Sequence, residues 1–134
     1  MKTRFRFEKL EVWPEARKIN RVIDRPTRKL PRAAMFAMTS QIRRASISVS
    51  SNIAEGSGRN SDRDSAHYLA PAYGSLRGIA SLSYLALDDG YVDEAGLDPL
   101  FDELERLAKR TTALNRSLEV PASKPPFSPR PRRT

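Results

Sequence analysis

The chain has 134 residues, 39% apolar and 30% charged, a composition that fits one modest globular domain and not two separate cores. It contains no cysteine, which excludes disulfides and zinc–thiolate sites, and only one histidine, His67. No stretch approaches the roughly 18 apolar residues that a membrane helix needs, and residues 1–8 lack the apolar run of a signal peptide, so we expect a cytoplasmic protein without membrane contact.

The net charge of +8 is distributed unevenly along the chain. Residues 1–63 carry +9, residues 64–118 carry −4, and residues 119–134 carry +3. An even surplus of basic residues would indicate only a charged, soluble surface. Segregated charge favours one face that attracts a polyanion by steering and counterion release, although the solvated surface stays open as the alternative.

The first predicted helix spans about residues 10–29. Its apolar residues recur at helical spacing in a core stripe: Val12, Trp13, Ala16, Ile19 and Ile23. A second, basic stripe lies on the opposite side of the helix: Arg17, Lys18, Arg21, Arg25 and Arg28. This basic stripe is the main candidate for nucleic-acid contact, with a solvated charged face as the alternative. The pair Arg25–Pro26 is expected to end or bend the helix early.

The second predicted helix opens at Leu30–Pro31 and ends near Gly56–Gly58, where a glycine is expected to supply a left-handed C-cap. Its core stripe consists of Met35, Met38, Ile42, Ala45, Val49 and Ile53. Three apolar residues lie away from this stripe and form the candidate oligomer interface: Phe36, Ile47 and Ala54. Because one bundle could not cover apolar residues on more than one side of this helix, we expect a homo-oligomer.

A polar row follows the same helix at spacings of three or four residues: Gln41, Arg44, Ser48, Asn52, Glu55 and Arg59. One interpretation is a recognition patch. The other is a structural network, in which Glu55 pairs with Arg59 and Asn52 bonds backbone groups or Ser75. We favour the network, because a polar row beside a core stripe is often a buried seam. Arg43 and Arg44 are further candidates for nucleic-acid binding.

The third predicted helix begins after Ser61, a good N-cap with Asp64 three residues later, and ends by Asp89–Gly90. Pro71 lies within its periodic pattern and is expected to kink the first turns or to delay the start of the helix. Its core face consists of Leu69, Ala72, Leu76, Ile79, Ala80 and Leu87.

The fourth predicted helix starts near Asp93, which can cap it, and is expected to be slightly broken at Gly96 and Pro99. Its core stripe consists of Leu97, Leu100, Phe101, Leu104, Leu107, Ala108, Leu114 and Leu118. Four amphipathic helices with short connections predict one all-α domain over residues 1–118, an antiparallel up-and-down four-helix bundle. Residues 119–134 are rich in proline and basic residues, which predicts a disordered tail.

The residue inventory gives little support for catalysis. A single histidine without cysteine cannot form a Cys–His nucleophile or a metal cluster. No serine lies in a Gly-x-Ser-x-Gly elbow, and no Walker loop or Gly-x-Gly-x-x-Gly motif is present. We therefore expect no enzyme activity, no cofactor and no bound metal.

Three stretches resemble the small four-helix proteins encoded in intervening sequences of bacterial 23S ribosomal RNA genes. They are residues 7–13 (FEKLEVW), 39–59 (TSQIRRASISVSSNIAEGSGR) and 73–77 (YGSLR), and the resemblance covers about residues 5–115. It implies an antiparallel bundle that assembles into a ring-like homo-pentamer, for which nucleic-acid binding is the usual proposal. The accessory variability proteins of diversity-generating retroelements are similar in fold and imply a basic pentameric barrel that binds nucleic acid and a reverse transcriptase.

The chain departs from that family pattern in the third predicted helix. Relatives carry a Glu-Leu-Glu run where this chain has Gly78, Ile79 and Ala80, so two acidic partners expected for Arg43 or Arg44 are absent. The sequence as a whole predicts a non-enzymatic, basic homo-oligomer that binds nucleic acid, RNA in the first instance, through phosphate contacts. The alternative is a scaffold or accessory protein that binds a protein partner such as a nucleic-acid enzyme.

Overall fold

A computed structural model describes residues 2–28 and 30–118, apart from the side chains of Ala34 and Met35. The predicted tail, residues 119–134, lies outside these ranges. Within them the chain is helical, without strands: a 3-10 turn at Arg6–Lys9, then α1 Val12–Val22, α2 Asp24–Arg28, α3 Arg32–Ala34, a π-helical segment Met35–Thr39, α4 Ser40–Ser57, α5 Asp62–Asp88 and α6 Glu94–Ser117. Of the helices described, none is both long and apolar enough to cross a membrane.

Helices α1, α4, α5 and α6 form an antiparallel four-helix bundle, which confirms the predicted architecture of the single chain. Each helix packs against two others in the cyclic order α1–α4–α5–α6, and the contact between α4 and α5 is the most extensive. The antiparallel sense is visible between α1 and α6, where Glu15 meets Arg110 while the later Lys18 meets the earlier Glu103.

The core runs along the bundle axis and is built from the predicted stripes. Its buried members are Val12, Ala16, Ile19, Ile23, Ile42, Val49, Ile53, Ala72, Leu76, Ile79, Leu97, Leu100, Leu104 and Leu107. Trp13 is half-buried and packs against this core, with its ring 4.7 Å from that of Phe7. Ser83 and Thr111 are buried as well, and each hydroxyl donates to a carbonyl one turn earlier in its own helix, so neither of these two donors is left unpaired.

The first helix breaks near the predicted proline. Helix α1 ends at Val22, and the chain turns through Ile23 into the short α2. Pro26 has no amide hydrogen to donate to the carbonyl of Val22, which accounts for the break. The expected early end is confirmed. The side chains of Pro26 and Thr27 are buried, and the Thr27 hydroxyl donates to the Ile23 carbonyl oxygen at 2.7 Å.

The two glycines at the end of α4, Gly56 and Gly58, do not supply the left-handed cap that the sequence predicted. Gly58 has a φ of −88°, and Gly56 is a buried residue within α4. A Cβ at Gly56 would lie 3.1 Å from both the Ser65 carbonyl oxygen and the Tyr68 Cβ. Glycine is therefore used here for close approach of α4 and α5. The left-handed residue that follows a helix is Gly90, with a φ of 74°, after α5.

The two prolines inside α5 and α6 do not interrupt them. Helix α5 begins at Asp62, where the Ser61 Oγ accepts the Asp64 amide at 3.1 Å, and α6 begins after Asp93, whose carboxylate accepts the Gly96 amide at 2.7 Å. Both predicted N-caps are confirmed. The predicted delay at Pro71 and the predicted breaks at Gly96 and Pro99 are wrong. Both prolines lie on the outer surface, so the carbonyl groups that lose their donors are accessible to water.

Candidate nucleic-acid interface

An exposed basic surface follows the outer side of α1 and α2. We name it the α1 basic surface and define it by Arg17, Arg21, Arg25 and Arg28. The Arg17 guanidinium lies 5.8 Å from the centroid of the Trp13 ring, a cation–π contact that helps to position it. Arg28 lies 3.5 Å from Asp24 in an exposed pair. Among the described carboxylates, none forms an ion pair with Arg17, Arg21 or Arg25, so their charges are available to a ligand.

Lys18 does not belong to this surface, although the sequence placed it in the same stripe. Its ammonium lies 2.8 Å from Glu103 Oε1, and Arg106 reaches the same oxygen at 2.8 Å. The Glu103 side chain is only 9% exposed. Burial by itself would raise the pKa of Glu103, but the hydrogen bond from Lys18 and the positive charges of Lys18 and Arg106 hold that pKa below its ordinary value. Lys18 therefore belongs to the seam between α1 and α6.

A second ion pair completes that seam one helical turn away. Arg110 of α6 donates to Glu15 of α1 at 2.6 Å, and both side chains are more than half buried. The second carboxylate oxygens of Glu15 and Glu103 are buried without a hydrogen-bond partner in the described residues. Ion pairs of this kind fix the register of two helices, and breaking one of them is costly. The α1–α6 seam is thus a packing element, and ion pairs within the chain partly neutralise the charges of its basic side chains.

The seam between α1 and α4 contains polar pairs that sequence reasoning missed. The Ser46 hydroxyl donates to the Asn20 side-chain oxygen at 2.7 Å, and Arg43 donates to Asp24 Oδ1 at 3.0 Å. The family pattern would place acidic partners for Arg43 or Arg44 on the third predicted helix, where this chain has Gly78 and Ala80. The partner instead comes from α2, across the opposite flank of α4, so the charge of Arg43 is partly neutralised.

The polar row on α4 divides into a seam and an exposed part. The Ser75 hydroxyl of α5 donates to Ser48 Oγ at 2.9 Å, and the Asn52 amide donates to the Ser48 carbonyl at 2.8 Å. Ser48 and Asn52 therefore lie in a network between α4 and α5. Gln41, Arg44 and Glu55 face outward.

Arg59 ends the polar row just after α4. It lies 3.7 Å from the Glu55 carboxylate, donates to the Tyr68 hydroxyl and stacks over the Tyr68 ring with its guanidinium 4.6 Å from the centroid. These contacts tie the end of α4 to the first turns of α5. The charge of Arg59 is engaged within the chain and is less available than those of the α1 basic surface.

A sequence profile of the 23S rRNA-intervening sequence protein matches residues 8–113. The match runs from the 3-10 turn almost to the end of α6 and includes all four helices of the bundle. The chain belongs to the 23S rRNA-intervening sequence protein family. No curated protein sequence matches it.

The stretch that resembles the 23S rRNA-intervening sequence protein family, residues 39–59, contributes to the packing of α4 against α5 in this chain. Within residues 39–59, Ser48 and Asn52 hold α4 against α5, and Gly56 lets the two helices approach closely. The most family-like residues thus stabilise the bundle. The four arginines of the α1 basic surface all lie outside that stretch.

The predicted interface residues of this family member differ in exposure. Phe36 is 88% exposed and Ile47 is 58% exposed, whereas Ala54 is half-buried. Ile47 lies one turn after Arg43 and Arg44 on the outer side of α4. We name this region the α4 outer surface and define it by Phe36, Arg43, Arg44 and Ile47.

A cleft of about 350 Å³ opens at the end of the bundle where α4 meets α5. Its floor is apolar and includes Leu10, Ile53 and Leu114, and its rim includes Arg6 and Asn60. No local sequence pattern marks this cleft, because its lining comes from three distant parts of the chain, residues 6–10, 53–69 and 114–118.

Proposed function

We propose that this member of the 23S rRNA-intervening sequence protein family is a non-enzymatic homo-oligomer that binds nucleic acid, RNA in the first instance, through phosphate contacts on the α1 basic surface. The observation that carries the proposal is the exposed charge of three arginines, Arg17, Arg21 and Arg25, which is unpaired among the described residues. They are exposed on the side of the bundle away from the core, and they have no ion-pair partner within the described residues.

The chemistry of these side chains suits a phosphate backbone. A guanidinium offers a planar set of donors that binds a phosphate with two parallel hydrogen bonds. Arg17 and Arg21 lie one turn apart on α1, and Arg25 continues the row onto α2. Neutralising phosphates releases counterions from the nucleic acid, which supplies affinity without reading a sequence. We therefore propose binding with little base preference.

We further propose that the oligomer is a ring-like homo-pentamer. Phe36 and Ile47 support self-association, because a contact between copies would remove two large exposed apolar side chains from water. Repetition of the α1 basic surface around a ring would let one nucleic-acid strand bind several copies at once. Such multivalency raises the overall affinity far above that of a single surface.

A scaffold or accessory protein is the alternative function. The observation that favours it is the same exposed apolar pair, Phe36 and Ile47, which a partner such as a nucleic-acid enzyme could cover instead of a second copy. The two functions differ in their ligand. The scaffold needs no affinity of its own for RNA.

The test is fluorescence anisotropy with a labelled single-stranded RNA of about 20 nucleotides, a DNA of the same sequence and the corresponding DNA duplex. Phosphate-dominated binding typically gives dissociation constants of about 10⁻⁴ to 10⁻⁶ M at physiological salt. We expect all three probes to bind in that range or more tightly, with RNA preferred. An anisotropy that stays flat for all three probes up to about 10⁻⁴ M protein, even at low salt, would refute the proposal and favour the scaffold.

A further inference from the structure

Charge of opposite sign is concentrated in two parts of the chain that meet at one end of the bundle. Residues 16–44 contain nine lysines and arginines and one acidic residue, whereas residues 78–105 contain eight acidic residues and no lysine or arginine. A small apolar cavity at this end is lined by Pro26 of α2, Ile42 of α4, Ala86 of α5 and Leu97 of α6. The basic and acidic segments therefore lie at the same height in the fold, on different helices.

The acidic segment forms a mixed acidic and apolar surface across α5 and α6. Tyr84 and Leu85 of α5 are both more than half exposed, and the Tyr84 ring packs 5.0 Å from that of Phe101. Asp98 and Asp102 are exposed on α6, one on each side of Phe101 along the helix. We name this region the α5–α6 acidic surface and define it by Tyr84, Leu85, Asp88, Asp98 and Asp102.

The α4 outer surface has the complementary chemistry. It presents two exposed apolar side chains, Phe36 and Ile47, beside the exposed cations Arg43 and Arg44. Because α4 and α6 are not neighbours in the cyclic order of the bundle, these arginines and the aspartates of α6 do not pair within one copy. The charges of one surface can be matched by the other surface only when two chains meet.

We propose that a second copy of this chain seats its α5–α6 acidic surface on the α4 outer surface of the first. The inference deepens the proposed self-association and rests on it. The contact uses two different surfaces of the chain, so the first copy keeps a free α5–α6 acidic surface and the second keeps a free α4 outer surface. Repetition of the contact closes into a ring when the rotation allows it. Opposite charges select the pairing, and the apolar residues supply buried area. The α1 basic surface stays uncovered for nucleic acid.

The test uses two variants that each remove one surface. Arg44→Glu/Ile47→Glu disables the α4 outer surface, and Leu85→Gln/Asp102→Asn disables the α5–α6 acidic surface without creating a basic surface that the first variant's new carboxylates could bind. All four residues are exposed, so the fold should survive, which circular dichroism checks. Arg63→Glu/Ala70→Glu is the matched control, because it makes comparable changes at exposed sites near the other end of α5.

Light scattering on the full chain at about 50 μM gives the mass of each species. We expect wild type and control to be oligomeric and each surface variant to be a monomer of 15.1 kDa. Mixed in equal amounts, the two variants should form a 1:1 dimer that cannot extend, since only one intact pair of surfaces is left. A surface variant that stays oligomeric, or a mixture that stays monomeric, would overturn the inference. A monomeric wild type would overturn it together with the proposed self-association, while leaving the RNA-binding assay to decide the other part of the proposed function.

Discussion

Asp24 of α2 and Arg43 of α4 form an ion pair with 3.0 Å between Oδ1 and Nη2, and Arg28 lies 3.5 Å from the other oxygen of the same carboxylate. One carboxylate thus lowers the effective charge of two arginines at the border between the α1 basic surface and the α4 outer surface. Within the α1 basic surface, Arg28 is therefore partly neutralised, whereas Arg17, Arg21 and Arg25 have no ion-pair partner among the described residues. This relationship leads to the first prediction.

Replacing Asp24 with Asn should strengthen RNA binding. The change frees Arg28 and Arg43 from their shared partner and raises the positive charge next to the α1 basic surface. Because exposed ion pairs contribute at most about 1 kcal/mol, the free energy of unfolding should fall by no more than that amount. Anisotropy titrations at 50 and 150 mM salt measure the effect. A Glu11→Gln variant, which removes an exposed carboxylate just before α1, serves as the control. Weaker or unchanged RNA binding by Asp24→Asn would contradict the prediction.

Glu103 should make the stability of the bundle sensitive to acid. Its folded-state pKa is lowered below 4.5, the value of an unperturbed glutamate, so the folded state binds the proton less readily than the unfolded state. Its contribution is therefore fully present above about pH 4.5 and is lost as the pH falls through the lowered pKa. Urea denaturation between pH 6 and pH 3 tests this. Glu103→Gln should lose about 1–3 kcal/mol at pH 7 and show a shallower decline in acid. An equally steep decline in the variant would argue against this role.

Three glycines should respond to alanine in opposite directions. A Cβ at Gly74 or Gly78 of α5 would meet nothing within 4 Å outside its own helix, whereas one at Gly56 would meet the Ser65 carbonyl oxygen at 3.1 Å. Gly74→Ala and Gly78→Ala should each stabilise the fold by about 0.5–1 kcal/mol, because alanine restricts the unfolded chain and favours the helix. Gly56→Ala should destabilise it by separating α4 from α5. Thermal denaturation measures the melting temperature of each of the three variants. Equal shifts of that temperature in one direction for all three would contradict the prediction.

Much of the fold follows from local sequence patterns. The periodic spacing of apolar residues within each long helix identifies its buried side, on which Ile19, Val49, Ile79 and Leu107 lie. Ser61 and Asp93 mark the starts of two helices. These features depend on residues a few positions apart along the chain. A prediction from periodicity alone therefore recovers them.

Sequence patterns miss side-chain contacts that depend on which helices pack together. Lys18 has the right spacing for the basic stripe and its side chain is 56% exposed, but it lies beside α6, where it forms an ion pair with Glu103. Periodicity gives the side of a helix without identifying its neighbour. The same limit hid Asp24 as the partner of Arg43 and the use of Gly56 for close packing. Arg44, another predicted candidate, is exposed on the α4 outer surface and also lacks an ion pair within the described residues. On the α1 basic surface, the arginines without an ion pair among the described residues are Arg17, Arg21 and Arg25.

The central claim is that these free arginines contact phosphates. Its most direct measurement is the salt dependence of RNA binding for wild type, for Arg21→Gln/Arg25→Gln, and for the matched control Lys109→Gln/Arg116→Gln, which removes two exposed charges from α6. Each phosphate contact on a single strand contributes about −0.7 to the slope of log K against log salt concentration. We predict that Arg21→Gln/Arg25→Gln weakens binding to all sequences alike and makes the slope shallower by about 1.4 at unchanged helicity, while the control keeps the wild-type slope. Equal slopes and equal affinities for wild type and Arg21→Gln/Arg25→Gln would remove the α1 basic surface from the binding site and contradict the account.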